Sequence, residues 1–326
     1  PVPPSPFPEP VLAIAAQLRA AALEGSGAYT IVESLTTEVG ARMAGTAADA
    51  RAVRWAEARF KALGFDRVTL EPVVFPMWRR GTESAEVLSP APQKLSLLAL
   101  GFSSGTPKGG IEAEVVRFAT LDELKAAPDA SVRGKIVFVS QTMERRRDGG
   151  GYGKIVSVRG QGAEFAGRKG AAAVLIRSIG TDSDRFPHTG GGVYMGQIAL
   201  DPDMRKRAKT LSDGSLVVET RVPAAALSNP DADQLDRLVA LGQPVRLKLV
   251  LDVGLVGEGR TFNVIGDIVG RDRPDEFVVI GGHLDSWDPG TGAIDDGAGV
   301  AITMAAGAAI AKLPERPRRS VRVRWR

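Results

Sequence analysis

Apolar residues recur at helical spacing in the first part of the chain and then switch to short runs of period two. The chain therefore opens with helices and continues into strands. From Val11 to Leu23 the pattern sets Leu12, Ala15, Ala16, Leu18 and Ala22 on one broad face, and Gly25 ends the helix. A shorter helix is predicted over Ala28–Val39, closed by Gly40. A third covers Ala47–Leu63, with Val53, Trp55, Ala56, Phe60 and Leu63 as candidates for burial and Gly64 as its stop. Extended structure follows over Asp66–Phe75, limited by Pro72 and Pro76, then over Ala85–Leu88 and Leu95–Leu100.

Gly101–Gly110 reads as a glycine-rich joint. Beyond it come short strands between turns, at Glu112–Phe118, Lys135–Val139, Ala172–Ile176, Val217–Thr220 and Val245–Leu251. Two helices interrupt them, Glu164–Lys169 and Asp231–Leu241, the second begun by Asn229-Pro230 in cap and first-turn positions. From Thr261 the earlier pattern returns as a strand (Phe262–Val269), a turn (Arg271–Asp275), a strand (Glu276–Gly281), a loop and an apolar helix (Val300–Leu313). The simplest arrangement is an α/β domain split into residues 1–110 and 253–326, carrying an inserted, mostly β domain over residues 111–252.

With 326 residues, 44% hydrophobic and 25% charged, the chain has enough material for two soluble domains. No stretch approaches the roughly 20 uninterrupted apolar residues of a membrane span. The net charge of +4 is spread along the chain, and Arg145-Arg146-Arg147 and the Arg318–Arg326 tail lack interleaved aromatics, so no nucleic-acid partner is expected. There is no cysteine, which excludes thiolate zinc sites and a cysteine nucleophile. The two histidines are His188 and His283. Gly149-Gly150-Gly151-Tyr152-Gly153-Lys154 lacks the spacing of a phosphate loop and reads as a flexible turn. Ser286 is not in a Gly-x-Ser-x-Gly elbow, so a serine hydrolase is not indicated.

The candidate chemistry lies in the returning segment. An apolar run, Phe277–Gly282, ends at His283-Leu284-Asp285-Ser286-Trp287, and Asp295-Asp296-Gly297-Ala298-Gly299 precedes the apolar helix. In open α/β sheets ligands bind beyond the carboxyl ends of strands. A neutral imidazole and a carboxylate are good zinc ligands, which makes His283 and Asp295 the candidate pair. Asp285, two residues from the histidine, is placed to orient its ring. The glycine-rich loop between them can fold back to bring His283 and Asp295 together. The bland reading, a strand-end histidine and a helix-capping aspartate, accounts less well for Asp-Asp-Gly at this spacing with a strand before it and a helix after it.

Three segments carry a resemblance: Asn263-Val264-Ile265-Gly266-Asp267-Ile268-Val269-Gly270, Val279 through Trp287, and Gly292 through Gly299. Together they resemble the co-catalytic zinc exopeptidases of the aminopeptidase type, in their carboxypeptidase Q-like branch. Arg42-Met43-Ala44-Gly45-Thr46 before a Trp55-bearing helix resembles that group's amino-terminal region. Gly134–Val139 with Gly170–Ser178, and Pro187-His188-Thr189-Gly190, resemble its protease-associated (PA) insert.

The resemblance implies a mixed sheet with flanking helices, a PA-like insert, and hydrolysis of dipeptides or short peptides. It implies two zinc ions that polarise the scissile carbonyl and activate a water. His283 would bind one ion, Asp295 would bridge both, and Asp285 would be the catalytic-site carboxylate that fixes the histidine tautomer. The Asp295–Asp296 peptide would be cis. An extracytoplasmic location and a homodimer are compatible with it.

The family also uses a glutamate base and further glutamate, aspartate and histidine ligands, which match nothing here. Ser320–Trp325 resembles the strand that leads into the paired glutamates, but Arg326 follows it, and His188 does not match the final histidine. The expectation is a chain truncated before the second half of the catalytic domain and unable to turn over. It should then show apolar surface around Val278–Ile280 and Val300–Leu313, which an extended or poorly packed carboxyl terminus would fit. The alternative is a non-catalytic PA-domain interaction protein with a vestigial metal site. His188 is a structural or a substrate-contacting residue, and Trp287 shapes a pocket or packs against the loop; the residues alone leave both open.

Overall fold

In the computed structural model, which describes residues 6–192, 202–214 and 216–325, the second and third helices form where the hydrophobic spacing puts them. Ala28–Ser34 continues into a π-helical turn, Leu35–Val39, and Gly40 ends it. Ala47–Ala62 is capped by Thr46, whose side-chain oxygen accepts from the Asp49 N–H. Val53, Trp55, Ala56 and Phe60 are buried, whereas Leu63, at the C-cap, is only partly covered. The first helix, Glu9–Gly25, also forms and ends at Gly25 as expected, yet the side that carries Leu12 and Leu18 buries no residue. That side is mostly alanine and offers little apolar area to drive docking.

The chain divides into two compact units, Pro1–Phe75 with Gly259–Arg326, and Pro76–Glu258. Two long strands, Arg67–Ser89 and Arg246–Ile268, each run from one unit into the other. Pro72 and Pro76 do not end the first of these, because a proline φ lies in the extended range and removes only one ladder donor.

In the unit formed by both chain ends, Arg319–Trp325 lies between two partners. It runs parallel to Arg273–Gly282 and antiparallel to the Val264–Ile268 stretch. One core joins Leu35, Trp55, Phe60, Phe65, Val264, Ile268, Val300, Met304, Val321, Val323 and Trp325. The expected loose carboxyl terminus is therefore not found: Trp325 is fully buried and its indole N–H donates to Thr303 Oγ1 at 3.1 Å. The expected apolar surface is present at Val278, Val279 and Ile302, while Val300, Ala301 and Met304 on the neighbouring helix Gly299–Ala311 pack inward. The helical stretch Ala293–Ala311 is apolar enough, by length and composition, to cross a membrane. It buries Val300, Ala301, Met304 and Ala305 in the core of this unit.

In the other unit, Ile111–Phe118, Ile136–Val139, Ala173–Arg177 and Ala224–Leu227 form a parallel ladder, flanked antiparallel by Leu97–Ala99 and by Arg246–Leu249. Ile136–Val139 and Ala173–Arg177 are buried at every position, as the apolar runs Ile136–Val139 and Ala173–Ile176 require of strands covered on both faces, while Arg177 pairs with Asp233 and Asp236. The helix expected over Glu164–Lys169 is much longer, Gly150–Arg168, and absorbs the glycine run expected to be a flexible turn. Packing of Ile155, Val158, Ala163 and Ala166 into the core outweighs the poor helix propensity of those glycines. The strand expected over Val217–Thr220 is confined to Leu216–Val217. Ser228, not Asn229, caps Asn229–Ala240, accepting from the Asp231 N–H.

Candidate metal centre

The carboxyl end of strand Arg273–Gly282 delivers His283 to the surface, and the loop after it returns Asp295 to the same place. His283 Nε2 lies 2.9 Å from Asp295 Oδ1. On the other side of the ring, Nδ1 is 3.1 Å from Asp285 Oδ1 and 3.0 Å from the Asp285 carbonyl. The three residues singled out in the sequence are thus assembled around one imidazole. The hydrogen bond to Asp285 is the main cause that raises the His283 pKa from its ordinary 6.5 to about 9; partial burial opposes it, and the charge of Asp285 and the contact with Asp295 add to it. Without a metal the ring is therefore a cation held between two carboxylates, and an ion at Nε2 would take the place of that proton.

Asp296 supports this arrangement from beneath. Its Oδ2 accepts the His283 main-chain N–H at 3.1 Å, and the Asp295–Asp296 peptide is cis. The carboxylate fits only because Gly282 and Gly299 flank it: a Cβ on either would come within 2.2 Å of an Asp296 oxygen. Asp295 itself is 80% exposed at its side chain, open to an ion from solvent.

The loop is clasped by Arg42, which is fully buried. Its guanidinium donates to the carbonyls of Leu284, Thr291, Gly292 and Gly40. Its main-chain N–H donates to Ser286 Oγ at 3.1 Å, and its carbonyl accepts from the Ser286 N–H. Burial pushes the Arg42 pKa down, while Asp285 and Asp296 hold it up. Ser286, 4% exposed, is thereby a structural hydroxyl. Asp49, also buried, accepts from the Gly45 N–H, and burial raises its pKa.

The donor set suits zinc: an imidazole nitrogen and a carboxylate oxygen converge, with a second carboxylate on the far ring nitrogen. Among the described residues no group of three or more His, Cys, Asp or Glu side chains is set to hold a metal ion. The sequence reading missed two supporting residues. Arg42 appeared only as part of a resembling segment, and its partners on the loop lie far away in sequence. Asp296 was signalled by the glycines at 282 and 299.

The site is thus an imidazole–carboxylate pair beyond the carboxyl end of a parallel strand in a mixed α/β fold. Residues 263–326 match Peptidase family M28, so the chain carries a domain of that family. It is 34% identical over 296 residues to carboxypeptidase Q of Bos taurus, covering 90% of this chain and 57% of that protein. The same identity over 295 residues relates it to carboxypeptidase Q of Homo sapiens. The chain thus spans little more than half the length of these curated relatives. Among solved structures, a Peptidase M28 precursor from Shewanella amazonensis SB2B shares 46% identity with a TM-score of 0.83, over 96% of this chain and 66% of that one. BSAP, a zinc aminopeptidase from Bacillus subtilis, is similar in fold at 20% identity and a TM-score of 0.58, over 91% of this chain and 60% of that one.

Proposed function

We propose that the whole protein is a zinc-dependent exopeptidase acting on dipeptides or short peptides. The observation that carries this reading is the His283–Asp295 pair with Asp285 on the remaining ring nitrogen, at 2.9 and 3.1 Å. In this reading His283 Nε2 and the Asp295 carboxylate would hold zinc. Bound zinc would supply a Lewis acid for the scissile carbonyl and lower the pKa of a water. The chain's own part is positional. Asp285 accepts the Nδ1 proton and so leaves the Nε2 lone pair for the metal. Asp296 and Arg42 fix the two ends of the loop. We read residues 111–252 as a PA-like insert, and an extracytoplasmic location is supported by the word precursor in the name of the Shewanella amazonensis relative.

The test is hydrolysis of a panel of dipeptides, with free and blocked ends, by the whole protein. Hydrolysis should disappear with a chelator, return with zinc and be absent in His283→Ala. Asp285→Asn should retain the fold and lower activity or zinc affinity by about 10- to 100-fold. Hydrolysis that survives both chelation and His283→Ala would defeat the proposal. The convergence of only two donors among the described residues favours a second reading, a non-catalytic protein with a vestigial site. It would be established if no dipeptide were hydrolysed at saturating zinc.

A further inference from the structure

The geometry points to a second binding site, in the unit Pro76–Glu258, for a carboxylate such as the free C-terminal end of a peptide. Tyr152 and Arg159 form it, with His188 as its wall. It does not depend on the peptidase reading.

Tyr152 and Arg159 are seven residues apart on helix Gly150–Arg168, two turns along one face. Arg159 Nη2 donates to the Tyr152 hydroxyl oxygen at 2.8 Å, and the guanidinium carbon lies 5.6 Å from the phenol ring centre. The His188 ring stands edge-on to Tyr152, with centroids 6.1 Å apart and planes at 86°. Its Nδ1 is 3.4 Å from Arg159 Nη1.

The segment carrying His188 is tied down at several points. The His188 N–H donates to Ser178 Oγ at 2.7 Å and the Thr189 hydroxyl to the Ala99 carbonyl at 2.9 Å. The Gly101 N–H donates to the Gly190 carbonyl at 2.8 Å. Gly190, at φ 154°, lies directly against the guanidinium: a Cβ there would meet Arg159 Cζ and Nη1 at 2.6 Å. The arrangement is therefore preorganised, and Tyr152 keeps one side of it open to solvent at 38% exposure.

Charge distinguishes Arg159 from its neighbours. Arg177 meets Asp233 and Asp236, and Arg207 and Arg221 both meet Glu164. Among the described residues the partners of Arg159 are neutral, a phenol, an imidazole and the Thr189 carbonyl, and its buried Nε has none. A half-buried guanidinium without a counter-charge is costly, and a planar carboxylate matches its fork. The Tyr152 oxygen already accepts from Arg159, so its own proton is available to a ligand. One ligand oxygen would take that proton and the other an Nη2 hydrogen. A single cation suits a single negative charge rather than a phosphate, and the nearby Lys154 is engaged by Glu144 at 3.4 Å.

Calorimetry on the full chain kept in chelator tests this with N-acetyl-alanyl-alanine, its C-terminal amide, and inorganic phosphate. The free acid should bind with one-to-one stoichiometry and the amide should not. Tyr152→Phe, which keeps the ring in place, should weaken binding about tenfold, the loss of one charge-assisted hydrogen bond. Arg159→Gln should abolish it. Equal binding of acid and amide, binding unchanged in Tyr152→Phe, absence of binding, or displacement by phosphate at equal affinity would each overturn the assignment. Because zinc is absent, failure here leaves the peptidase reading intact, and failure of that reading leaves this one intact.

Discussion

Replacing Arg42 by methionine should cost about 3–5 kcal/mol of stability and remove zinc affinity with it. Methionine fills much of the same volume, so the loss is one of hydrogen bonds rather than packing. The guanidinium serves four carbonyls, three of them on the loop from Leu284 to Gly292, of which Gly292 also accepts from the Gly297 N–H at 2.9 Å. Each deserted carbonyl costs about 1–3 kcal/mol unless water enters, and water entry would loosen the loop that returns Asp295 to His283. Arg42→Lys should recover little, because one ammonium cannot span carbonyls that a planar fork reaches together. Urea unfolding gives the stability and a zinc titration gives the affinity. A wild-type midpoint in Arg42→Met would show that the clasp is dispensable.

Phe60→Ala should cost about 3–5 kcal/mol, with an unchanged denaturant slope. The Phe60 ring is fully buried, stacked on Trp325 with centroids 4.3 Å apart and planes at 14°, and edge-on to Phe65 at 4.6 Å. Trp325 belongs to the strand between the two partner strands of its unit, so the cavity would open against the sheet that positions His283. A loss below about 1 kcal/mol would mean that the core collapses around the gap, and that the stacked pair does not define it.

The pairing of His283, Asp285 and Asp295 was legible because strand, loop and helix are written locally: an apolar run, a glycine-rich turn, an apolar run. Two helices at the start were legible for the same reason, since Val53, Trp55, Ala56 and Phe60 repeat at helical period. What was not legible depended on contacts distant in sequence. The side of the first helix that carries Leu12 and Leu18 has a helical pattern but no core to enter. Gly150–Arg168 has glycines that argue locally for a turn, and only its burial against the parallel strands makes it a helix. The carboxyl-terminal strand was expected to be loose, yet two long-range pairings hold it in place. Arg42 lies more than 240 positions from the carbonyls of Leu284, Thr291 and Gly292, so no local pattern could reveal its task.

The central claim is that His283 and Asp295 share a metal ion while Asp285 holds the ring. Anomalous scattering at the zinc edge from zinc-soaked crystals tests it most directly, since the chain has one other histidine, His188. The account predicts a zinc peak about 2.0–2.2 Å from His283 Nε2 and an Asp295 oxygen, with Nδ1 still facing Asp285. A peak on His188, with the His283–Asp295 contact intact and no metal beside it, would contradict it.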